Sequence, residues 1–338
     1  QINLVTRGGT NDLSGSVYMF QRRDDWNAKN ALLKEAKQDK APLERDDYGY
    51  TIGGPIKKDK FHFFASQEWN DEARGVAVSG NVPTAAQRAG DFNDVNTSCG
   101  YQIPVDPKTG QPFPGNVIPS DRISPAGQAF LGLYPNANNP GDCGSNWVTA
   151  VSTPIDWAQI NGRIDYTINS KHRALVRYTE DDWENPGPTA GDANGLWGDD
   201  QFPQVDSAWA QPSDSLTAQL NSVIGSSAIN SFTFATSGNE IDIGIADQDA
   251  GARQAIIDTI PTYFPASGKT SGGQSHPVTW GSAGLSGVWT QGPWFNEMRT
   301  DLYKDDYEQV FGGNHVVKGG VSYSENLKGE TPLGSNEE

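Results

Sequence analysis

Apolar and polar residues alternate along much of this chain with a period of about two, as in strands whose faces meet different surroundings. Tyr48, Tyr50, Ile52, Gly54 and Ile56 alternate with Asp47, Gly49, Thr51, Gly53 and Pro55. Past Lys57-Lys58-Asp59-Lys60, the partner sets Phe61, Phe63, Ala65, Gln67 and Trp69 against His62, Phe64, Ser66, Glu68 and Asn70. The same pattern recurs around Asn169-Ser170-Lys171-His172. There Ala158, Ile160, Gly162, Ile164 and Tyr166 oppose Gln159, Asn161, Arg163 and Asp165, and Ala174, Val176 and Tyr178 oppose Arg173, Arg177 and Thr179. Two more hairpins are predicted, about Gly225-Ser226-Ser227-Ala228 and Gly312-Gly313-Asn314-His315. With a first strand from about Leu13 to Arg22, the pattern gives nine strands.

The connections are strongly asymmetric. Each hairpin has a tight polar turn, while the links at the other end run from roughly twenty to over eighty residues and are rich in Trp, Asp, Gly and Pro. Short turns on one side and long loops on the other are the plan of an outer-membrane barrel. The expected fold is therefore all-β: a partial antiparallel transmembrane β-barrel with short periplasmic turns and long extracellular loops. Each strand reaches the ~9–11 residues that cross a bilayer at a tilt. Phe20, Trp69, Trp157, Tyr178 and Tyr303, near strand ends, are expected at the level of lipid headgroups. An open sheet edge in lipid leaves backbone groups unsatisfied, and bacterial single-chain barrels close with an even strand number. Nine strands thus read as an internal fragment of a larger barrel, with more strands to follow.

The longest link, from about Asp71 to Ile155, is too long for an idle connection and reads as an irregular folded loop. Within it Ser124 and Pro125 suit the N-cap and first position of a short helix running to Leu133. The chain's two cysteines, Cys99 and Cys143, also lie here. Their spacing suits no zinc motif, and an exported chain would join them in a disulfide, closing a loop worth ~3–4 kcal/mol.

Composition narrows the function. No apolar run approaches the ~18 residues of a membrane helix, which leaves a barrel open because only alternate strand residues face lipid. The net charge of −17 over 338 residues argues against nucleic acid as a partner. Acidic loop residues such as Asp181, Asp182 and Glu184 offer carboxylates to a secreted glycosidase, but any acidic loop does so. There is no Gly-x-Ser-x-Gly, His-Glu-x-x-His or phosphate-loop motif, and the only histidines are His62, His172, His276 and His315. The reading is of a non-enzyme needing no cofactor and no metal. Trp183, Trp197, Trp209, Trp280, Trp289 and Trp294 fall in loops or near strand ends, where they suit either sugar stacking or packing within folded loops. Arg163, Asp165, Arg173 and Arg177 mark the polar, lumen-facing side.

Particular words in the sequence add a family resemblance. Ile2-Asn3-Leu4-Val5-Thr6-Arg7-Gly8-Gly9-Thr10-Asn11, with Gly15-Ser16 beyond, resembles the plug-to-barrel junction of TonB-dependent outer-membrane receptors of the Oar-like subgroup. Tyr48-Gly49-Tyr50-Thr51-Ile52-Gly53-Gly54-Pro55-Ile56 and Lys58-Asp59-Lys60-Phe61-His62-Phe63-Phe64 are similar to that subgroup's next hairpin. Val82-Pro83-Thr84-Ala85-Ala86-Gln87-Arg88-Ala89-Gly90-Asp91-Phe92 and Pro112-Phe113-Pro114-Gly115-Asn116-Val117-Ile118-Pro119 continue the likeness, which covers most of residues 1–180. It implies the end of a plug in residues 1–12 and the N-terminal part of an incomplete barrel in residues 13–338. It further implies residence in the outer membrane of a Gram-negative bacterium and TonB-dependent uptake, energised by TonB with ExbB and ExbD, of a siderophore, glycan or peptide bound by the external loops. The competing expectations are a surface adhesin on the same barrel and a secreted, β-rich carbohydrate-active protein.

Overall fold

The computed structural model describes residues 6–99, 101–132, 134–139, 145–186, 207–245, 285, 294–313 and 315–331. Its main sheet is an antiparallel meander of β1 (Ser14–Arg23), β2 (Leu43–Lys57), β3 (Phe61–Gly80), β6 (Trp147–Thr167), β7 (His172–Asn185), β8 (Ser207–Ala210), β9 (Ser213–Ile224), β10 (Ala228–Ile245), β11 (Trp294–Phe311) and β12 (His315–Thr331). β8 and β9 form one stave, since both lie between β7 and β10 in a continuous register. The break falls at Pro212, which has no N–H for the ladder. The meander therefore has the nine staves that the alternation predicts. Among the described residues β1 pairs only with β2 and β12 only with β11, so the sheet is open.

Every tight turn lies at one end. Asp59, Gly225, Gly312 and Gly313 take the positive φ that such reversals need. Asn169 instead holds its turn by accepting from the N–H groups of Lys171 and His172. Two-residue alternation, carried across the register, sorts the side chains into two faces. One face carries Tyr50, Ile52, Ile160, Ile164, Val176, Tyr178, Leu220, Phe232, Tyr303 and Tyr323, all well exposed. This exposed apolar band, interrupted on β7, β9 and β11 by Glu180, Asp214, Arg299, Asp301 and Asp305, calls for a non-aqueous neighbour.

The band has visible limits. Towards the turns the Phe61 and Tyr166 rings meet edge to face, centroids 5.4 Å apart, and towards the loops Tyr48 stacks on Trp69 at 5.4 Å. The nine residues Phe61–Trp69, at ~3.4 Å each and tilted ~40°, span about 23 Å, close to the ~25 Å apolar belt of outer-membrane barrels. Just above, the same face turns acidic along one register row, Asp46, Asp71, Asp156 and Glu184. Phe20 and Trp157 were expected among the headgroup aromatics, but the register puts both on the opposite, polar face, beside Asp47 and Asn70. A period of two separates faces; it does not say which face is apolar at a strand's end. No described helix is long and apolar enough to cross a membrane.

β3 and β6 outrun the band and pair to Gly80 and Trp147, so the long loop is 81–146 rather than the longer span read from the sequence. It is folded. Asn146 accepts from the Val82 N–H and donates to the Val82 carbonyl, extending the ladder by one side-chain rung. Asn138 does the same for Val148. Val82, Val148, Trp147, Phe113 and Tyr134 are buried. α1 (Ala31–Glu35), in the β1–β2 link, packs on β6 with Leu33 wholly buried. α2 (Ala85–Arg88) opens with a Thr84–Gln87 capping box, and α3 (Pro125–Leu131) has the expected Ser124 cap, whose hydroxyl accepts from Gly127 N–H. Two short strands, β4 (Val105–Asp106) and β5 (Gln111–Pro112), complete the loop.

Candidate functional site

The polar face carries the chemistry, and its rows follow from the register. Two rows in from the turn-end row that holds Thr167 and Arg173, Phe64, Arg163, Arg177, Thr217, Ala235 and Leu302 lie side by side across six strands. The next row toward the loops is Ser66, Asn161, Thr179, Ser215, Ser237 and Thr300, and above it come Glu68, Gln159, Asp181, Ser213 and Asn239. Arg163, Asp165, Arg173 and Arg177 all share this face, with Arg173 near the turn end beside Thr167 and Asn221.

The segment before β1 crosses this face at the turn end. Arg163 donates to the Thr6 carbonyl at 2.7 Å and to the Thr6 hydroxyl at 2.9 Å. Its fork also grips Asp165 through Nε and Nη2, both at 2.8 Å. Arg7 lies over the Phe64 ring at 5.9 Å. Gly9 runs so close to the wall that a Cβ would collide with the carbonyl oxygens of Phe63 and Gly54, which restricts the position to glycine. Asn11 then anchors the segment to the β2–β3 turn, accepting from Asp59 N–H at 2.8 Å and meeting His62 Nε2 at 2.8 Å. Arg163 and Asp165 were legible as polar-face residues. The Arg163–Thr6 bonds and the Asn11 contacts with Asp59 and His62 were not, because they join residues far apart in sequence.

Towards the loops the face becomes rich in Trp. Trp157 and Trp183 are directly opposed in the β6–β7 register and both are half-buried. The pairing had a sequence signal: both are thirteen residues or fewer from the 169–172 turn and nearly equidistant from it. One row further, Asn185, Trp209, Ile243 and Trp294 align across β7, β8, β10 and β11. Trp209 is 8% exposed and Ile243 1%, so this row is a small core rather than a set of displayed rings. Trp197, Trp280 and Trp289 lie outside the described residues.

The loop 81–146 has its own electrostatics. Arg88 donates to the carbonyls of Leu131, the last residue of α3, and of Tyr134 and Pro135 beyond it, and burial lowers its pKa. Arg122 makes a bidentate bond to Asp106 and lies 5.5 Å over the Phe113 ring. That bond, with the Lys108 N–H, holds the Asp106 carboxyl below the usual carboxylate range and raises the Arg122 pKa. Cys99 ends the 3-10 turn Thr97–Cys99 and is not a free thiol, while Cys143 lies outside the described residues. Among the described residues no three His, Cys, Asp or Glu side chains gather as metal ligands would.

An antiparallel meander with an aromatic-bounded apolar band outside, a polar wall opposite and all long loops at one end is the wall of an outer-membrane transmembrane barrel. The chain belongs to the family described as outer membrane beta barrel domain, whose model matches residues 5–336. Its location is the outer membrane. Among solved structures it is similar to the outer membrane transporter YddB from Escherichia coli, at 10% identity and a TM-score of 0.44, over 96% of this chain and 31% of that one. It is also similar to the siderophore receptor PiuA from Acinetobacter baumannii, at 8% identity and a TM-score of 0.33, over 95% of this chain and 42% of that one. The chain thus spans less than half the length of either. No curated protein matches it.

Proposed function

We propose that this chain is the N-terminal barrel portion of a TonB-dependent receptor of the Oar-like subgroup, which takes up a ligand captured by its extracellular loops. The observation that carries the reading is the path of Thr6–Asn11. A chain that enters β1 from the polar face arrives from inside the barrel, which is where a plug preceding it would sit. In this reading residues 1–12 are the end of the plug and the junction, and residues 13–338 begin the barrel. The Trp-rich loops face outward, a Cys99–Cys143 disulfide braces the long loop, and TonB with ExbB and ExbD supplies the energy. The chain binds and transports, with no catalytic residue.

The test is uptake by whole cells of a labelled ferric siderophore, a neutral oligosaccharide and an oligopeptide. It compares the parent strain, a deletion of the full-length gene and a TonB-null strain. One ligand class is expected to lose uptake equally in both mutants. Surface binding that disappears with the gene while uptake of all three classes is unchanged would refute transport and leave an adhesin.

A further inference from the structure

Between the lower arginine row and the Trp rows, the polar face holds a cavity of about 280 Å³ whose lining includes Gln159, Thr179, Asp181, Ser215, Asn239 and Thr300. We infer that this cavity is a binding site for one ring of a neutral saccharide. The inference rests on the transporter reading above and names its ligand class.

Three observations carry it. The first is the lining, which besides Met298 and Gly238 is hydroxyl and amide groups with two carboxylates, Asp181 and Asp214: mostly groups that both donate and accept, as hydroxylated ligands do. The second is a set of unpaired acceptors. Among the described residues Asn161 Oδ1 and Asp181 Oδ1 are buried and accept no hydrogen bond, and on the neighbouring strand the same holds for Oδ1 of Asn70, a residue with no exposed surface. Buried acceptors are ordinarily satisfied, so Asp181 in the lining, with Asn161 paired to the lining residue Thr179 and Asn70 paired to Trp157, calls for a ligand rich in O–H groups. The donors paired nearest to these acceptors are already committed, while Arg177 Nε, one row toward the turns, is itself buried and unpaired. The Asn161 amide is committed to Thr179, that of Asn70 to the Ile155 carbonyl, and Gln159 already bonds the Asp181 carboxyl.

The third observation is the pair of aromatic planes directly above. Trp157 and Trp183 sit side by side in register, one row beyond Gln159 and Asp181 on the same face, where an aromatic surface covers the C–H face of a sugar ring. Asp181 and Asp214 in the lining, with Glu68 paired to Gln159, disfavour an anionic ligand such as a ferric siderophore. The volume is near the lower end for ligand pockets, which fits one ring of a longer chain.

The test is calorimetric titration of the full-length receptor in detergent with neutral malto-, cello- and xylo-oligosaccharides, a Lys-rich peptide and a ferric siderophore. One oligosaccharide series is expected to bind. Trp183→Ala and Asn161→Leu should each weaken it about tenfold, the scale of one lost contact of this kind, and Trp183→Phe much less. Heat-modifiable gel migration verifies that each variant is folded. Unchanged oligosaccharide affinity in folded Trp183→Ala and Asn161→Leu overturns the site, as does binding only of the peptide or siderophore. Because titration needs no TonB, uptake of a peptide or siderophore that is TonB-dependent and unaltered in these variants would sink the saccharide site while leaving the transporter reading intact.

Discussion

Replacing Arg163 by leucine should release the chain's N-terminal segment from the wall. The guanidinium makes two hydrogen bonds to Thr6, at 2.7 and 2.9 Å, and its side chain is only 17% exposed. Charge-assisted bonds contribute ~1.5 kcal/mol each at the low end, and partial solvation brings the pair to about 2 kcal/mol. Local opening of Thr6–Asn11 should therefore become roughly thirtyfold more frequent. Hydrogen–deuterium exchange of the full-length receptor, read on peptides covering residues 6–13, measures this directly. Arg163→Lys keeps the charge but not the fork, so its exchange should fall between parent and leucine variant. The leucine variant also strands Asp165, whose side chain is 30% exposed, so overall stability falls as well. Adding Asp165→Leu separates the two effects: resistance to denaturant should recover in part while the segment stays open. If Arg163→Leu migrates as a folded barrel and the exchange of residues 6–13 matches the parent, the tether does not exist and the reasoning fails.

Three further outcomes concern the long loop. Arg88→Met leaves the Leu131, Tyr134 and Pro135 carbonyls without their shared donor, at a cost of about 2–4 kcal/mol. The loop in that variant should be cut by trypsin while the barrel survives, and equal resistance would contradict the role of Arg88. Because Arg122 holds the Asp106 pKa below its unfolded value, the clasp stabilises the loop above about pH 4 and is lost as pH falls through the lowered value. The ratio of pepsin cleavage in Asp106→Asn to that in the parent should drop toward one between about pH 5 and about pH 2, and a constant ratio would argue against it. Cys99→Ser, or reduction of the parent, should loosen the same loop by about 4 kcal/mol at most, seen as faster proteolysis between Asn81 and Asn146. Identical proteolysis with and without reductant would remove the disulfide.

How much of this was legible beforehand depends on the range of the interaction. The Ser124-Pro125 start of α3 was readable because capping is local. The nine staves were readable because a tight turn fixes the register of its own hairpin, and alternation then assigns faces; even the Trp157–Trp183 opposition follows from the turn at Asn169. The length of β3 and β6 was not, since beyond the membrane the strands no longer alternate between lipid and water, and only their mutual pairing keeps them going. Phe20 and Trp157 were assigned to the wrong surroundings for a related reason: an aromatic at a strand end has a parity, and proximity to the end does not supply it.

The sequence by itself determined the class of fold and the membrane it inhabits, because lipid imposes a two-residue period and an uneven loop plan on every stave. Only the tertiary structure decided where the chemistry lies. The row of Asn161, Thr179, Ser215 and Ser237 crosses β6, β7, β9 and β10, and the anchor of Thr6 on Arg163 spans nearly half the chain. Neighbours across strands are set by summed registers and by the packing of one hairpin on the next, and no stretch of sequence contains that sum.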